Sequence, residues 1–116
     1  MTRDQALEAI RASISLGTCT PIFQEDRAAA VRDLARALEA HVIEPAAATI
    51  VGVAHESAGL LELLAAEHPL VIARSGNNWL GYLPSSREFF LAYGPHTSQL
   101  NALGFHSQDV LAEWHG

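Results

Sequence analysis

The chain has 116 residues, a formal net charge of −6, and 49% hydrophobic and 17% charged residues. This length supports one hydrophobic core and is too short for two independent ones, so we expect a single domain over residues 1–116. The composition excludes a disordered chain, which would be poorer in apolar residues and richer in charge.

The charge balance bears on the kind of partner. All seven basic residues are Arg, and thirteen acidic residues oppose them. A net negative charge opposes contact with phosphate, so we expect no direct binding of nucleic acid. The same charge favours encounter with a basic protein, although acidity also serves solubility alone.

Three features predict a cytoplasmic location without membrane contact. Cys19 is the only cysteine, so no disulfide can form within one chain, which fits a reducing compartment. Residues 1–5 run into a charged amphipathic pattern and not into the apolar core of an export signal. The longest stretch without Asp, Glu, Lys or Arg, residues 89–108, contains Gly, Pro and polar residues and does not read as a membrane span.

The N-terminal part of the sequence predicts two helices. Residues 2–5, Thr-Arg-Asp-Gln, form a capping box, and apolar residues at helical spacing follow it. The first helix therefore spans about 3–16 and ends at Gly17. The pair at 20–21, Thr-Pro, is a second helix start, and Pro45 ends that helix because it pushes the preceding residue out of the α region.

The segment 46–67 has two interpretations. Its residues 49–53 are mostly β-branched and suit a buried strand. A helical spacing of three and four residues nevertheless continues through the segment, at Ile50, Val53, Ser57, Leu60 and Leu64. We predict one long helix over about 46–67, with a strand followed by a helix as the alternative.

Residues 70–83 predict a β-hairpin, because two apolar runs flank the turn residues 75–78, Ser-Gly-Asn-Asn. A hairpin alone is marginally stable, and a third antiparallel strand over 87–93, where aromatic residues alternate, would complete a sheet. A capping box at Ser85 and Glu88 favours a helix there instead, and this alternative stays open.

The C-terminal part predicts a loop or a short helical turn over 100–105, followed by a last helix that Ser107 caps and that runs to Trp114. Together the elements predict an α+β fold in which N-terminal helices pack on a small antiparallel β-sheet, with a C-terminal helix.

Patterns that approach catalytic or metal motifs are incomplete. In residues 55–59, His-Glu-Ser-Ala-Gly, a His stands where the nucleophile elbow of α/β-hydrolases needs a small residue. The same residues fail the His-Glu-x-x-His zinc motif because Gly59 replaces its second His. The six His are far apart along the chain, and no glycine-rich phosphate loop is present. We therefore predict no catalytic residue, no cofactor and no metal ligand.

One local resemblance suggests a function. Residues 83–94, Leu-Pro-Ser-Ser-Arg-Glu-Phe-Phe-Leu-Ala-Tyr-Gly, resemble the Leu-Pro-x-x-Tyr-Arg-Glu-Phe-Leu-x-x-Tyr-Gly signature of the SUKH superfamily. Many bacterial members of that superfamily are toxin-neutralising immunity proteins, and the small, acidic, cysteine-poor chain is similar in style to immunity proteins of contact-dependent and type VI systems. The resemblance implies a non-catalytic protein that binds a cognate toxin, often a basic nuclease, and occludes its active site.

On this hypothesis the toxin-binding surface is acidic, with Trp79 or Tyr82 as an aromatic anchor if either is exposed. The acids expected there are Glu56, Glu62, Glu88, Asp109 and Glu113. Two other classes stay open: a dimeric acidic secretion chaperone with apolar grooves for an unfolded client, and a small metal hydrolase that would use His96, His106 and Asp109. The oligomeric state does not follow from the sequence.

Overall fold

The computed structural model describes residues 1–19, 26–53, 62, 64 and 66–114. Its helices are α1 (Arg3–Ser15), α2 (Arg27–Glu39) and α3 (Val110–Glu113). Its strands are β1 (Val42–Ala47), β2 (Ile50–Val53), β3 (Leu70–Ser75), β4 (Asn78–Leu83), β5 (Glu88–Tyr93) and β6 (Leu100–Ser107). In the described part of the chain, no helix is both long enough and apolar enough to cross a bilayer.

The first helix is confirmed, and its capping box forms as expected. The Thr2 hydroxyl accepts from the Gln5 amide at 3.2 Å, while Gln5 Oε1 accepts from the Thr2 amide at 2.8 Å. These two bonds satisfy amides that have no partner inside the helix. Gly17, with φ of +96°, follows the helix in the left-handed conformation that glycine adopts without a steric penalty.

The second helix exists, but its predicted end is wrong. It starts at Arg27, where the Asp26 carboxylate accepts from the Ala29 amide at 3.0 Å, and it stops at Glu39. The predicted start at 20–21 lies outside the described residues. Pro45 lies inside β1, which is an edge strand of the sheet and can therefore accommodate a residue without an amide hydrogen.

The long helix predicted over 46–67 is wrong in its first part, where β1 ends and β2 follows. Residues 62, 64 and 66 are helical, which agrees with the alternative of a strand followed by a helix, while residues 54–61, 63 and 65 lie outside the described part. A register shift between Ile50 and Gly52 explains the misleading spacing. Because of the shift, Ile50 and Val53 pack against the same core cluster although they are three residues apart, as they would on a helix.

The hairpin is confirmed as β3 and β4, and the third strand is confirmed as β5. The loop predicted over 100–105 is wrong, since these residues belong to β6. The C-terminal helix is confirmed but short, and its N-cap is Asp109 and not Ser107. Asp109 accepts from the Ala112 amide at 3.3 Å, while the Ser107 hydroxyl accepts from the Asp109 amide at 3.2 Å.

The sheet must curl, because its two edge strands are neighbours in the sequence. The strand order is β1-β3-β4-β5-β6-β2, and all pairs are antiparallel except β2 with β6. In a flat sheet the edges would lie about 24 Å apart at the usual strand spacing. Residues 48–49 alone join them and span at most about 11 Å. The curl brings the edges together and encloses one face of the sheet.

The protein is therefore an α+β fold, as predicted, with a core on each face of the sheet. One cluster joins the outer face to the three helices and includes Ile10, Leu38, Leu80, Phe89 and Val110. The other lies inside the curl and includes Leu64, Val71, Leu83, Phe90 and Leu100. Both β1 and β2 contribute partly buried side chains to this inner cluster, as expected if the curl brings them together.

Candidate functional site

The two aromatic residues predicted as possible anchors are both buried. Trp79 is 5% exposed, its indole Nε1 donates to the Gly94 carbonyl at 2.8 Å, and the Arg74 guanidinium lies 4.4 Å from its ring centroid. Tyr82 is 7% exposed and packs against Phe89 with ring centroids 5.0 Å apart. Trp79 and Tyr82 are expected to act as anchors only if they are exposed, and neither residue fulfils this condition.

The predicted acids do not form one cluster. Glu62 is exposed, whereas Glu56 lies outside the described residues. The Glu88 carboxylate lies 2.7 Å from Nδ1 of His106 on β6. By strand alternation Glu88 shares the face of Phe90, which is opposite to the face against which α3 packs.

Asp109 and Glu113, the other two predicted acids, both belong to the region of α3. Besides capping this helix, Asp109 Oδ2 accepts from the Thr18 hydroxyl at 3.0 Å and from the Cys19 amide at 2.7 Å. Glu113 accepts from the Ser107 hydroxyl at 2.9 Å. Both carboxylates therefore hold local structure in addition to carrying charge.

The residues proposed for a metal hydrolase have separate environments. His96 is exposed in the connection between β5 and β6, His106 pairs with Glu88, and Asp109 caps α3. Within residues 1–19, 26–53, 62, 64 and 66–114, no three His, Cys, Asp or Glu side chains come together as a metal ligand set.

The helices leave part of the outer face of the sheet uncovered. Among the described residues, the cluster beneath the helices draws on β1, β3, β4 and β5 but on no residue of β6. Beyond α3 lies a notch of about 240 Å³ lined by Leu91, Leu103, Phe105, Ala112 and Glu113. Phe105 is 60% exposed at this notch.

Tyr93, which is 38% exposed, follows Leu91 by two residues and therefore lies on the same face of the strand. We call Leu91, Tyr93, Leu103 and Phe105 the open sheet face. An exposed apolar surface of this kind, with an acidic side chain at its border, is the usual arrangement of a protein-binding site.

The negative charge is concentrated in residues 40–116, the part of the chain that carries this surface. Residues 1–39 contain six acidic residues and five Arg, so their charges nearly cancel. Residues 40–116 contain seven acidic residues and only two Arg. Three of these seven acids, Glu56, Glu62 and Glu67, lie between β2 and β3 in the sequence, and Glu113 places one carboxylate at the notch itself.

The sequence analysis missed Phe105 because it placed residues 100–105 in a loop. Leu100 and Ala102 point into the curl, and a register shift then separates them from Leu103 and Phe105 on the outer face. Gly104, with φ of +99°, lies within this irregular stretch. The shift breaks the simple alternation that would have identified a strand with one exposed face.

A second concave surface lies between α1 and the turn that joins β4 to β5. This cleft has a volume of about 540 Å³. Its α1 side includes Gln5, Glu8, Ala12 and Leu16, and its sheet side includes Tyr82, Arg87, Phe89 and Gln108. We call it the α1 cleft.

Within the α1 cleft, burial raises the pKa of Tyr82 above 10.0, and the positive charge of Arg87 only partly opposes this shift. The folded protein therefore keeps the phenol proton at a pH where the unfolded chain has lost it, so the free energy of unfolding falls as the pH rises above 10. In a Tyr93→Phe variant, Tyr82 is the only tyrosine, and absorbance titration of the folded protein measures its pKa directly. A midpoint at or below 10 would contradict this expectation.

The geometry defines an α+β protein with a curled, mostly antiparallel sheet, whose concave surfaces include the notch and the α1 cleft. Comparison of the chain with protein-family models, with curated proteins and with solved structures found no match.

Proposed function

We propose that this protein is a cytoplasmic immunity protein that binds a basic toxin domain through the open sheet face and covers the active site of the toxin. The observation that carries the proposal is the exposure of Phe105 beside an apolar notch, within residues 40–116, which hold most of the negative charge.

Phe105 suits the role of an anchor. Binding energy in protein interfaces is concentrated in a few residues, commonly large aromatic ones, that fill an apolar pocket of the partner. The partly exposed Leu103 extends the apolar area, and Tyr93, which is 38% exposed, adds a ring with a polar hydroxyl on the same face. A partner would bury these side chains and exclude water from them.

The negative charge of this protein favours a basic partner. Negative charge raises the association rate with a basic protein and disfavours acidic ones, and residues 40–116 carry seven acids against two Arg. Glu113, which also accepts from the Ser107 hydroxyl, lines the notch and adds to the negative potential that a basic partner meets there. Nucleases that bind phosphate with a basic active site have the required complementary charge.

The residues that resemble the immunity superfamily contribute to the same surface. Residues 83–94 form the end of β4, a turn and β5, and they supply Leu91 and Tyr93 to the open sheet face. The stretch that suggested a toxin inhibitor therefore lies beside the exposed Phe105.

The proposal is tested by expressing the chain together with the toxin domain encoded beside its gene. We expect rescue of the growth arrest that the toxin causes, and inhibition of the isolated toxin by the purified protein at equimolar amounts. Light scattering should find a complex with a folded toxin domain; a dimer holding an unfolded client would instead indicate a chaperone. Failure of the purified protein to inhibit the toxin would end the proposal.

Replacing Phe105 tests the proposed interface more directly than the inhibition experiment does. Phe105→Ala is expected to weaken toxin binding about thirtyfold, the effect of losing one strong anchor. Leu34→Ala is the matched control, because Leu34 is a similarly exposed apolar residue, 42% exposed, on α2. Calorimetric titration measures both variants after circular dichroism has verified their folding. Equal losses of affinity in the two variants, or none in Phe105→Ala, would place the interface elsewhere.

A further inference from the structure

Arg87, in the α1 cleft, has a backbone conformation that favours a different residue type. Its φ is +56°, the left-handed region in which glycine is unstrained and side chains with a Cβ are disfavoured. The Arg87 amide donates to the Leu83 carbonyl at 2.8 Å, which closes the turn between β4 and β5. Non-glycine residues that are held in such a disfavoured backbone conformation cluster at functional sites.

The Arg87 side chain also lacks an internal counterion. In the described part of the chain its guanidinium makes no hydrogen bond and no ion pair, although it lines the α1 cleft. It is the only basic side chain among the described residues of that lining. Tyr82, near enough to feel the charge of Arg87, lines the same cleft. A guanidinium and a phenol together offer hydrogen-bond donors to one anionic group.

The remaining surface of the cleft is largely apolar. Ala9, Ala12 and Leu16 of α1 face Phe89 of β5 across it, and Leu16 is 79% exposed. A volume of about 540 Å³ lies in the range of small-molecule sites, roughly 300 to 1,000 Å³. The cleft therefore has room for an apolar body as well as an anionic group.

The charged side chains that line the cleft favour some anions over others. Glu8 is the only acidic side chain among the described lining residues, and it stands against the single Arg87. A phosphate or another multiply charged group would meet stronger repulsion from this carboxylate than a singly charged group. A singly charged carboxylate avoids most of that repulsion and accepts a two-pronged hydrogen bond from the guanidinium.

We propose that the α1 cleft binds a small monocarboxylate with an apolar body, whose carboxylate pairs with Arg87 and whose body packs on Ala9, Ala12 and Leu16. This site is separate from the open sheet face, so it does not depend on the proposed function. Tyr82 lines the same cleft and offers its hydroxyl as a second hydrogen-bond donor to this carboxylate.

The test uses three probes that share one apolar body: 4-phenylbutyrate, its neutral amide and the corresponding amine. Chemical-shift titration of the full chain measures their affinities and shows which residues they contact. We expect the carboxylate to bind at least tenfold more tightly than the amide and the amine to bind most weakly, with shifts at α1 and the turn before β5. Equal affinities for the carboxylate and the amide, or shifts confined to other surfaces, would overturn the proposal.

Two substitutions separate charge from conformation. Arg87→Gln removes the charge, and Arg87→Gly also relieves the left-handed backbone, so the glycine variant should melt at an equal or higher temperature. Both are expected to weaken 4-phenylbutyrate binding by about ten- to a hundredfold, the range for loss of a hydrogen bond to a charged group. Arg32→Gln, on the exposed side of α2, is the control with the same change in net charge. Unchanged binding in Arg87→Gly, or an equal loss in Arg32→Gln, would overturn the proposal.

Discussion

Replacing Gly81 with alanine is expected to lower the free energy of unfolding by about 3 kcal/mol, the upper end of the usual cost of overpacking a core. Gly81 on β4 pairs directly with Phe90 on β5. The Phe90 ring lies against the Gly81 backbone, and an added Cβ would overlap three atoms of that ring. Phe90 is 1% exposed at the centre of the inner cluster, so its ring has no open space to move into.

Urea unfolding followed by tryptophan fluorescence measures this change. The control is Gly76→Asn in the turn between β3 and β4, where a Cβ would meet nothing within 4 Å and where φ is +60°. Asparagine tolerates that conformation, so we expect a change of less than about 1 kcal/mol. In the double variant Gly81→Ala with Phe90→Leu, the smaller side chain should recover part of the loss. A Gly81→Ala protein as stable as the parent would mean that the ring lies elsewhere.

The elements that the sequence predicts correctly are those set by neighbouring residues. The capping box at residues 2–5 and the turn at 75–78 act over four residues, and each fixes where α1 or the β3–β4 hairpin begins. The aromatic alternation of residues 87–93 indicates β5 for the same reason. Local signals suffice wherever the strand or helix keeps its ideal periodicity.

The errors fall where register shifts break that periodicity. In β2 the shift at Ile50 and Gly52 makes a strand resemble a helix, and in β6 the shift after Ala102 makes a strand resemble a loop. A shift in a strand is stabilised by its partners across the sheet, which are distant in sequence. No window of neighbouring residues contains that information.

The candidate surfaces were predictable only in their charge. The excess of acids after residue 39 can be counted from the sequence, but its distribution between surface and local contacts cannot. Asp109 shows the difference, because its carboxylate accepts three hydrogen bonds within the protein. Exposure of Phe105 and burial of Trp79 depend on which strand faces the helices, and this follows from the curl of the whole sheet.

The curl also explains why a chain of this size can leave part of a sheet face open. Enclosing one face gives the sheet an apolar core around Phe90 and Leu100, to which the helical residue Leu64 also contributes. Among the described residues, the cluster beneath α1, α2 and α3 draws on β1, β3, β4 and β5, and Phe105 of β6 remains exposed. Stability and an exposed binding surface are therefore compatible in one small fold.

Replacing Ser13 with alanine is expected to cost about 2 to 3 kcal/mol of unfolding free energy, because it leaves two backbone groups without partners. Ser13 lies on α1 and is 5% exposed. Its hydroxyl donates to the Gln108 carbonyl at 2.6 Å and accepts from the Val110 amide at 2.9 Å. The Val110 amide begins α3 and has no partner within that helix, so Ser13 satisfies a group that would otherwise be buried and unpaired.

Ser15→Ala provides the comparison, since that hydroxyl donates to the Ala12 carbonyl on the exposed side of the same helix. A change of at most about 0.5 kcal/mol is expected there. Because α3 supplies Ala112 and Glu113 to the notch, loosening its start should also weaken toxin binding, although Ser13 does not touch the open sheet face. Denaturant unfolding and calorimetric titration measure the two effects separately. If Ser13→Ala lowered neither stability nor affinity more than Ser15→Ala, the connection between α1 and α3 would not hold the notch in place.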